Sequence, residues 1–151
     1  MTGHYKHTQI GYVILVSLGA TLAVIVYLMA AFGFNWIAFA VLTILGACTV
    51  LFGTLTVIIK EDVLEIRFGP GIIRKKFLLK EVESCQAVKN PWYYGWGIRV
   101  IPHGWLYNVS GFYAVEIRMM SGKKYRISTD VPNALEKAIR QSIERVRRKT
   151  V

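Results

Sequence analysis

The chain has 151 residues, enough for about one domain, yet it joins a hydrophobic fraction of 54% to a formal net charge of +10. A uniform soluble domain does not carry both. Its two cysteines, Cys48 and Cys85, are far apart and in no CxxC spacing, which argues against a disulfide scaffold and against a thiol redox or zinc motif.

Position resolves the conflict between grease and charge. From His7 to Ile59, a run of 53 residues, there is no Asp, Glu, Lys or Arg. Residues 60–151 hold 18 basic and nine acidic residues, a net of +9. An uncharged apolar half therefore precedes a basic polar half.

Residues 1–9 read as a short tail. It carries Lys6, and it carries His4 and His7 at a spacing of three with no carboxylate or cysteine nearby to complete a metal site. Residues 10–31 and 36–53 then form two apolar runs, each long enough to suggest a membrane span of about 20 helical residues across a ~30 Å hydrocarbon core. Phe32 to Asn35 leaves room only for a turn, so 10–53 is expected to be a two-helix transmembrane hairpin. The first run has too long a core and too poor a cleavage site for a signal peptide. Lys6 before the hairpin, and Lys60, Arg67, Arg74, Lys75 and Lys76 after it, predict that both ends lie in the cytoplasm with the turn outside. This places the chain in the inner (cytoplasmic) membrane. Neither run contains a charged residue, which argues against a transporter or a proton pathway.

From Thr54 the hydrophobic period changes from helical to alternating. Thr54–Lys60 and Val63–Phe68 read as a hairpin about Glu61–Asp62. The FGPG turn (68–71) leads to strand candidates at 72–79 and 83–89. Ala114–Met120 and Lys123–Thr129 alternate about Ser121–Gly122. Asp130 then suits an N-cap before Pro132, and Leu135, Ala138, Ile139, Ser142, Ile143 and Val146 line one face of a C-terminal amphipathic helix. The expected fold class is a membrane α-hairpin plus an α+β domain over 54–151. That domain would be an antiparallel sheet or barrel of about seven strands capped by one helix, the pleckstrin-homology (PH) arrangement.

Between these strands lies NPWYYGWGIRVIPHGWLYNVSG (90–111), with three of the four tryptophans and one charge, Arg99. The blocks FGPG (68–71), NPWYYGWGIR (90–99), PHGWLYNVSG (102–111) and STDVP (128–132) resemble those of small bacterial membrane proteins that carry a PH-like (bacterial PH) domain after two helices. The resemblance covers nearly the whole chain. It implies the PH-like fold and attachment to the membrane, and it brings no reaction with it.

Signs of catalysis are sparse. His103 sits in a turn composition with no acid or nucleophile near it, and Gly95 and Gly97 are followed by Ile-Arg-Val rather than the third glycine of a dinucleotide motif. No enzyme, metal or cofactor is expected, and a membrane tether argues against nucleic acid. The expected activity is binding or scaffolding at the inner leaflet, by docking proteins or by self-assembly. The alternative is a sensor of anionic lipid headgroups. Trp92, Tyr93, Tyr94, Trp96 and Trp105 are the candidate membrane or partner contacts, because their rings are apolar and their tips polar. Arg74, Lys75, Lys76, Arg145, Arg147, Arg148 and Lys149 are the candidate contacts to anionic lipid.

Overall fold

The computed structural model describes residues 4–151. The first three residues of the expected tail lie outside that range. The rest of the tail is a strand: β1, Tyr5–Ile10. It pairs antiparallel with β2, Thr54–Lys60, from Tyr5↔Ile59 to Ile10↔Thr54. This corrects the expectation of a free tail. The physical reason is that β1 turns polar residues inward, where they find polar partners. Gln9 is buried, its Nε2 donates to the Ser110 carbonyl at 3.0 Å, and its Oε1 accepts from the Ser128 hydroxyl at 2.9 Å. The Nε2 of His7 lies 2.5 Å from Oδ1 of Asp130.

Two helices stand between β1 and β2. Helix α1 covers Tyr12–Phe32 and α2 covers Trp36–Phe52. Asn35 caps α2, its Oδ1 accepting from the amides of Ile37 at 2.8 Å and Ala38 at 3.1 Å. That cap explains the sharp turn between the helices. Among the described residues α1 alone is long and apolar enough to cross a membrane, with 21 residues and a mean hydropathy of 2.5. It is about 31 Å long at ~1.5 Å per residue. The second expected span, 36–53, is an apolar helix of 17 residues, about 26 Å long and short of the ~20 residues a span usually takes. Its end is fixed by the sheet, because pairing of Thr54 with Ile10 draws the chain out of the helix at Gly53.

Sheet A is a meander in the order β1-β2-β3-β4, where β3 is Val63–Phe68 and β4 is Ile73–Leu78. Sheet B has the order β5-β8-β9-β7-β6. Its strands are β5 (Val82–Lys89), β6 (Gly97–Ile101), β7 (Gly104–Asn108), β8 (Tyr113–Met119) and β9 (Lys124–Ser128). Residues 54–151 thus hold eight strands against the about seven expected, β1 is a ninth among the described residues, and one pair, β7 with β9, is parallel. The parallel pair arises because the chain leaves β7, passes over one strand position to form β8, and returns as β9 into the gap. Gly104 makes this approach fit: its φ is +139°, and a Cβ there would lie 1.9 Å from the Lys124 carbonyl oxygen.

The two sheets face each other but do not close into a barrel. A short 3-10 turn, Leu79–Glu81, separates β4 from β5, and helix α3 (Pro132–Thr150) packs along that turn and β5. Leu55, Leu64, Ile66, Phe68, Val115, Ile117 and Ile127 meet Leu135, Ile139 and Ile143 of α3 in one core. Pro132 opens α3 as expected, whereas the expected cap, Asp130, makes no cap bond and faces His7 instead. Both cysteines are free thiols.

Candidate functional site

Gly11 and Gly53 bring the helices and sheets together. The Gly11 amide donates to the Gly53 carbonyl at 2.8 Å, which joins the start of α1 to the end of α2 one residue before the sheet begins. The turn after β3 presses on the same place. Gly69 has φ +54°, and a Cβ there would sit 2.3 Å from the Val50 carbonyl oxygen of α2. The sheet domain is therefore seated on the helix ends with no linker between them.

Three surfaces are set by this seating. The first is the outward face of sheet A. The register puts Thr8, Thr56, Arg67 and Arg74 in one row, and Lys6, Ile58, Glu65 and Lys76 in the next. These two rows hold four cations and one carboxylate, and Lys60, opposite Val63 in the row beyond, adds a fifth cation to the face. Glu65 is spent on Arg67 at 2.8 Å, and that hydrogen bond holds the Glu65 carboxyl below its usual range while raising the Arg67 guanidinium. At ~3.3 Å per strand residue the Arg67–Arg74 row stands about 13 Å along the chain from the helix ends at Tyr12 and Phe52, and the Lys6–Lys76 row about 20 Å from them.

The expected basic residues divide over three places. Arg74 and Lys76 lie on this face, exposed. Lys75 points to the opposite side, its Nζ 5.9 Å from the Tyr125 ring centroid. The C-terminal group is elsewhere. Helix α3 runs along β5 from Ala87, whose amide donates to Glu136, toward Glu83, whose carbonyl accepts from Arg147 at 3.1 Å. That direction leads away from the helical hairpin, so Arg145, Arg147, Arg148 and Lys149 stand at the far end of the domain. Lys6 and Arg67, which the sequence reading left out of the candidate set, join Arg74 and Lys76 because strand pairing brings them there.

The second surface is the outward face of sheet B, covered by residues 90–96. Beneath them lies a buried ion pair: Arg126 Nε donates to Glu116 Oε2 at 2.7 Å, and Arg126 Nη1 donates to Asn90 Oδ1 at 3.0 Å. The Tyr94 ring lies over the Arg126 guanidinium at 5.8 Å. Glu116 and Arg126 alternate outward as the sequence suggests, but the aromatic segment roofs them. Trp92 and Tyr93 stand out from this roof, 76% and 68% exposed. Trp105 is half-exposed on the other face of β7, opposite Val100 of β6.

The third is a cleft of about 500 Å³ where α1 meets the edge strand β6, with Trp96 as one wall. The five candidate aromatics therefore do not form one patch. Trp92 and Tyr93 are free rings, Tyr94 is a lid on an ion pair, Trp96 lines the junction cleft, and Trp105 edges the core.

Among the described residues no group of three or more His, Cys, Asp or Glu could hold a metal ion. Comparison with known protein families and with curated proteins returned no match for this chain.

Proposed function

We propose that this chain is a non-enzymatic, membrane-anchored binding or scaffolding module. In this reading its sheet domain is PH-like, as in the bacterial proteins the sequence resembles. It sits at the inner leaflet with both ends of the hairpin inside, and it docks proteins or assembles with its own copies. The observation that carries this reading is the linker-free seat at Gly11, Gly53 and Gly69, since anything the sheets bind would be bound at the membrane surface. Trp92 and Tyr93 supply the docking chemistry: rigid, exposed aromatic rings are the residue type that dominates binding energy at protein interfaces. The chief titratable cluster supports a structural role, because Arg126 is bonded to Glu116 and to Asn90 Oδ1 under a lid rather than facing a substrate, although Asn90 Nδ2 has no partner.

The test is purification of the full chain from native membranes in mild detergent, beside a Trp92→Ser/Tyr93→Ser variant. A stoichiometric protein partner or self-assembly should be present with the first and lost with the second. Equal recovery from both variants counts against docking through these rings.

The face of sheet A favours a second reading, contact with anionic headgroups. If α1 begins at the hydrocarbon boundary, Arg67 and Arg74 lie just beyond the headgroup layer, within a Debye length of ~8–10 Å of it, and Lys6 and Lys76 lie past that length. Each such cation contributes about 1 kcal/mol at an anionic surface. Salt separates the readings: headgroup contact weakens steeply as ionic strength rises, whereas aromatic docking does not.

A further inference from the structure

The cleft between α1 and β6 is unlike the other hollows of the molecule. Its floor is apolar, made by Ile14 and Leu18 of α1, Phe52 at the end of α2, and Ile98 of β6. Its rim carries Arg99, whose Nε donates to the Trp96 carbonyl at 2.9 Å. Among the described residues no carboxylate pairs with Arg99, so the outer guanidinium nitrogens keep their donors. Gly95 leaves the guanidinium room to lie there, since a Cβ at that position would come within 3.2 Å of Arg99 Nε. The indole N–H of Trp96, in the same wall, is shielded from solvent and has no acceptor in the protein.

We infer that this cleft seats one phospholipid, with an acyl chain along α1 and the phosphate on Arg99. The inference rests on the membrane reading above. It follows from where the two chemistries lie. The apolar floor runs beside the first two turns of α1, the helix long enough to cross a bilayer, so it stands at the depth where acyl chains begin. The cationic rim lies on the sheet side, where headgroups are. A neutral hydrocarbon would leave Arg99 unanswered, and a free phosphate would leave the floor bare. A phospholipid answers both. The volume, about 500 Å³, is in the range of small-molecule sites, ~300–1,000 Å³.

The probe is phosphatidylglycerol added to the delipidated full chain in detergent, with bound lipid counted by native mass spectrometry. Diacylglycerol with the same chains serves as the phosphate-free comparison. The wild type should retain one phosphatidylglycerol per chain and hold it about tenfold more tightly than diacylglycerol, the ratio expected for one charge-assisted contact. Ser17→Phe and Leu18→Trp each fill the cleft from α1 and should lower retention of both lipids about tenfold. Arg99→Gln should abolish the preference for the phosphate while leaving diacylglycerol unaffected. Val24→Phe, on α1 outside the cleft, should change nothing. Circular dichroism identifies a filling variant that fails to fold, and the other then decides. Unchanged retention in a folded filling variant, or an equal loss with Val24→Phe, overturns the seat. Equal binding of the two lipids by the wild type overturns the role of Arg99. Extraction of native membranes with alkaline carbonate separates this failure from that of the membrane reading. A chain that stays in the pellet but ignores these substitutions refutes only the lipid seat, and a chain released to the supernatant refutes both.

Discussion

The amide of Gly11 and the carbonyl of Gly53, 2.8 Å apart, close the base of the helical hairpin, and the backbone of Val109, one residue past β7, lies against Gly11. A Cβ at Gly11 would come within 2.9 Å of the Val109 oxygen and 3.1 Å of the Gly53 oxygen. Both neighbours are backbone and cannot rotate away. Gly69 is more constrained still, with positive φ and the Val50 oxygen 2.3 Å from a would-be Cβ.

Gly11→Ala is therefore expected to destabilise the detergent-solubilised chain by about 1–3 kcal/mol, the usual cost of forcing atoms into a packed site. Gly69→Ala should cost more, because it adds φ strain of about 1 kcal/mol to the overlap. Gly19→Ala, with nothing within 4 Å of its would-be Cβ, should be neutral or slightly stabilising. Thermal unfolding followed by circular dichroism gives the order. The seating described here requires Gly69→Ala to be the worst of the three.

The ion pair under the aromatic lid makes a second prediction. The side chains of Arg126 and Glu116 are only 12% and 8% exposed. Removing one partner leaves a buried charge without its counter-charge, which typically costs about 3–5 kcal/mol. Glu116→Ala should thus be more damaging than the double change Glu116→Leu/Arg126→Met, in which neither charge remains. Tyr94→Leu should cost only about 1 kcal/mol, the scale of a cation–π contact. Denaturant unfolding of the three variants tests the order, and a double variant worse than the single one would rule out a buried-charge penalty.

Glu65 makes a prediction about pH. Its hydrogen bond to Arg67 holds the carboxyl below its ordinary value, against the opposing effect of burial. A carboxylate with a lowered folded pKa contributes stability that is fully present above its unfolded pKa, and that stability is lost as pH falls through the folded value. The stability gap between the wild type and Glu65→Gln should therefore be constant from pH 6 to neutrality. Below about pH 4.5 it should shrink. Melting temperatures of both proteins across this range check the sign, and a gap that widened toward acid would contradict it.

What the sequence revealed, and what it hid, follows from where each signal resides. The β2–β3 hairpin, the β8–β9 hairpin and α3 were legible because their apolar periodicity is local and their turns are marked by Glu61–Asp62, Ser121–Gly122 and Pro132. Strand β1 was hidden because its inward residues include His7 and Gln9, which look exposed until Asp130 and Ser128 arrive from the far end of the chain. The cover over Glu116 and Arg126 was not legible, since alternation gives the face of a strand but not what lies over it. The covering segment is an aromatic loop with no periodicity of its own. The basic face of sheet A needed the register as well, because Lys6 is far in sequence from Arg67 and Arg74 and meets them only through β2.

That same register bears on topology. Because β1 and β2 pair along their whole length, from Tyr5↔Ile59 to Ile10↔Thr54, the chain must enter α1 and leave α2 on one side of whatever the helices cross. An arrangement with β1 and β2 on opposite sides would break six residue pairs and strip Gln9 from Ser128. In a background with Cys48→Ser and Cys85→Ser, a single cysteine placed at Lys60 or at Lys6 should react alike with a membrane-impermeant maleimide. One placed at Phe34, in the turn between the helices, should show the opposite pattern in intact and in opened cells. With the cytoplasmic orientation proposed above, the Phe34→Cys variant is the one labelled in intact cells. Labelling of Lys60→Cys in intact cells, with Lys6→Cys labelled too, would invert the orientation and keep the fold. Different labelling of Lys6→Cys and Lys60→Cys would contradict the β1–β2 pairing itself.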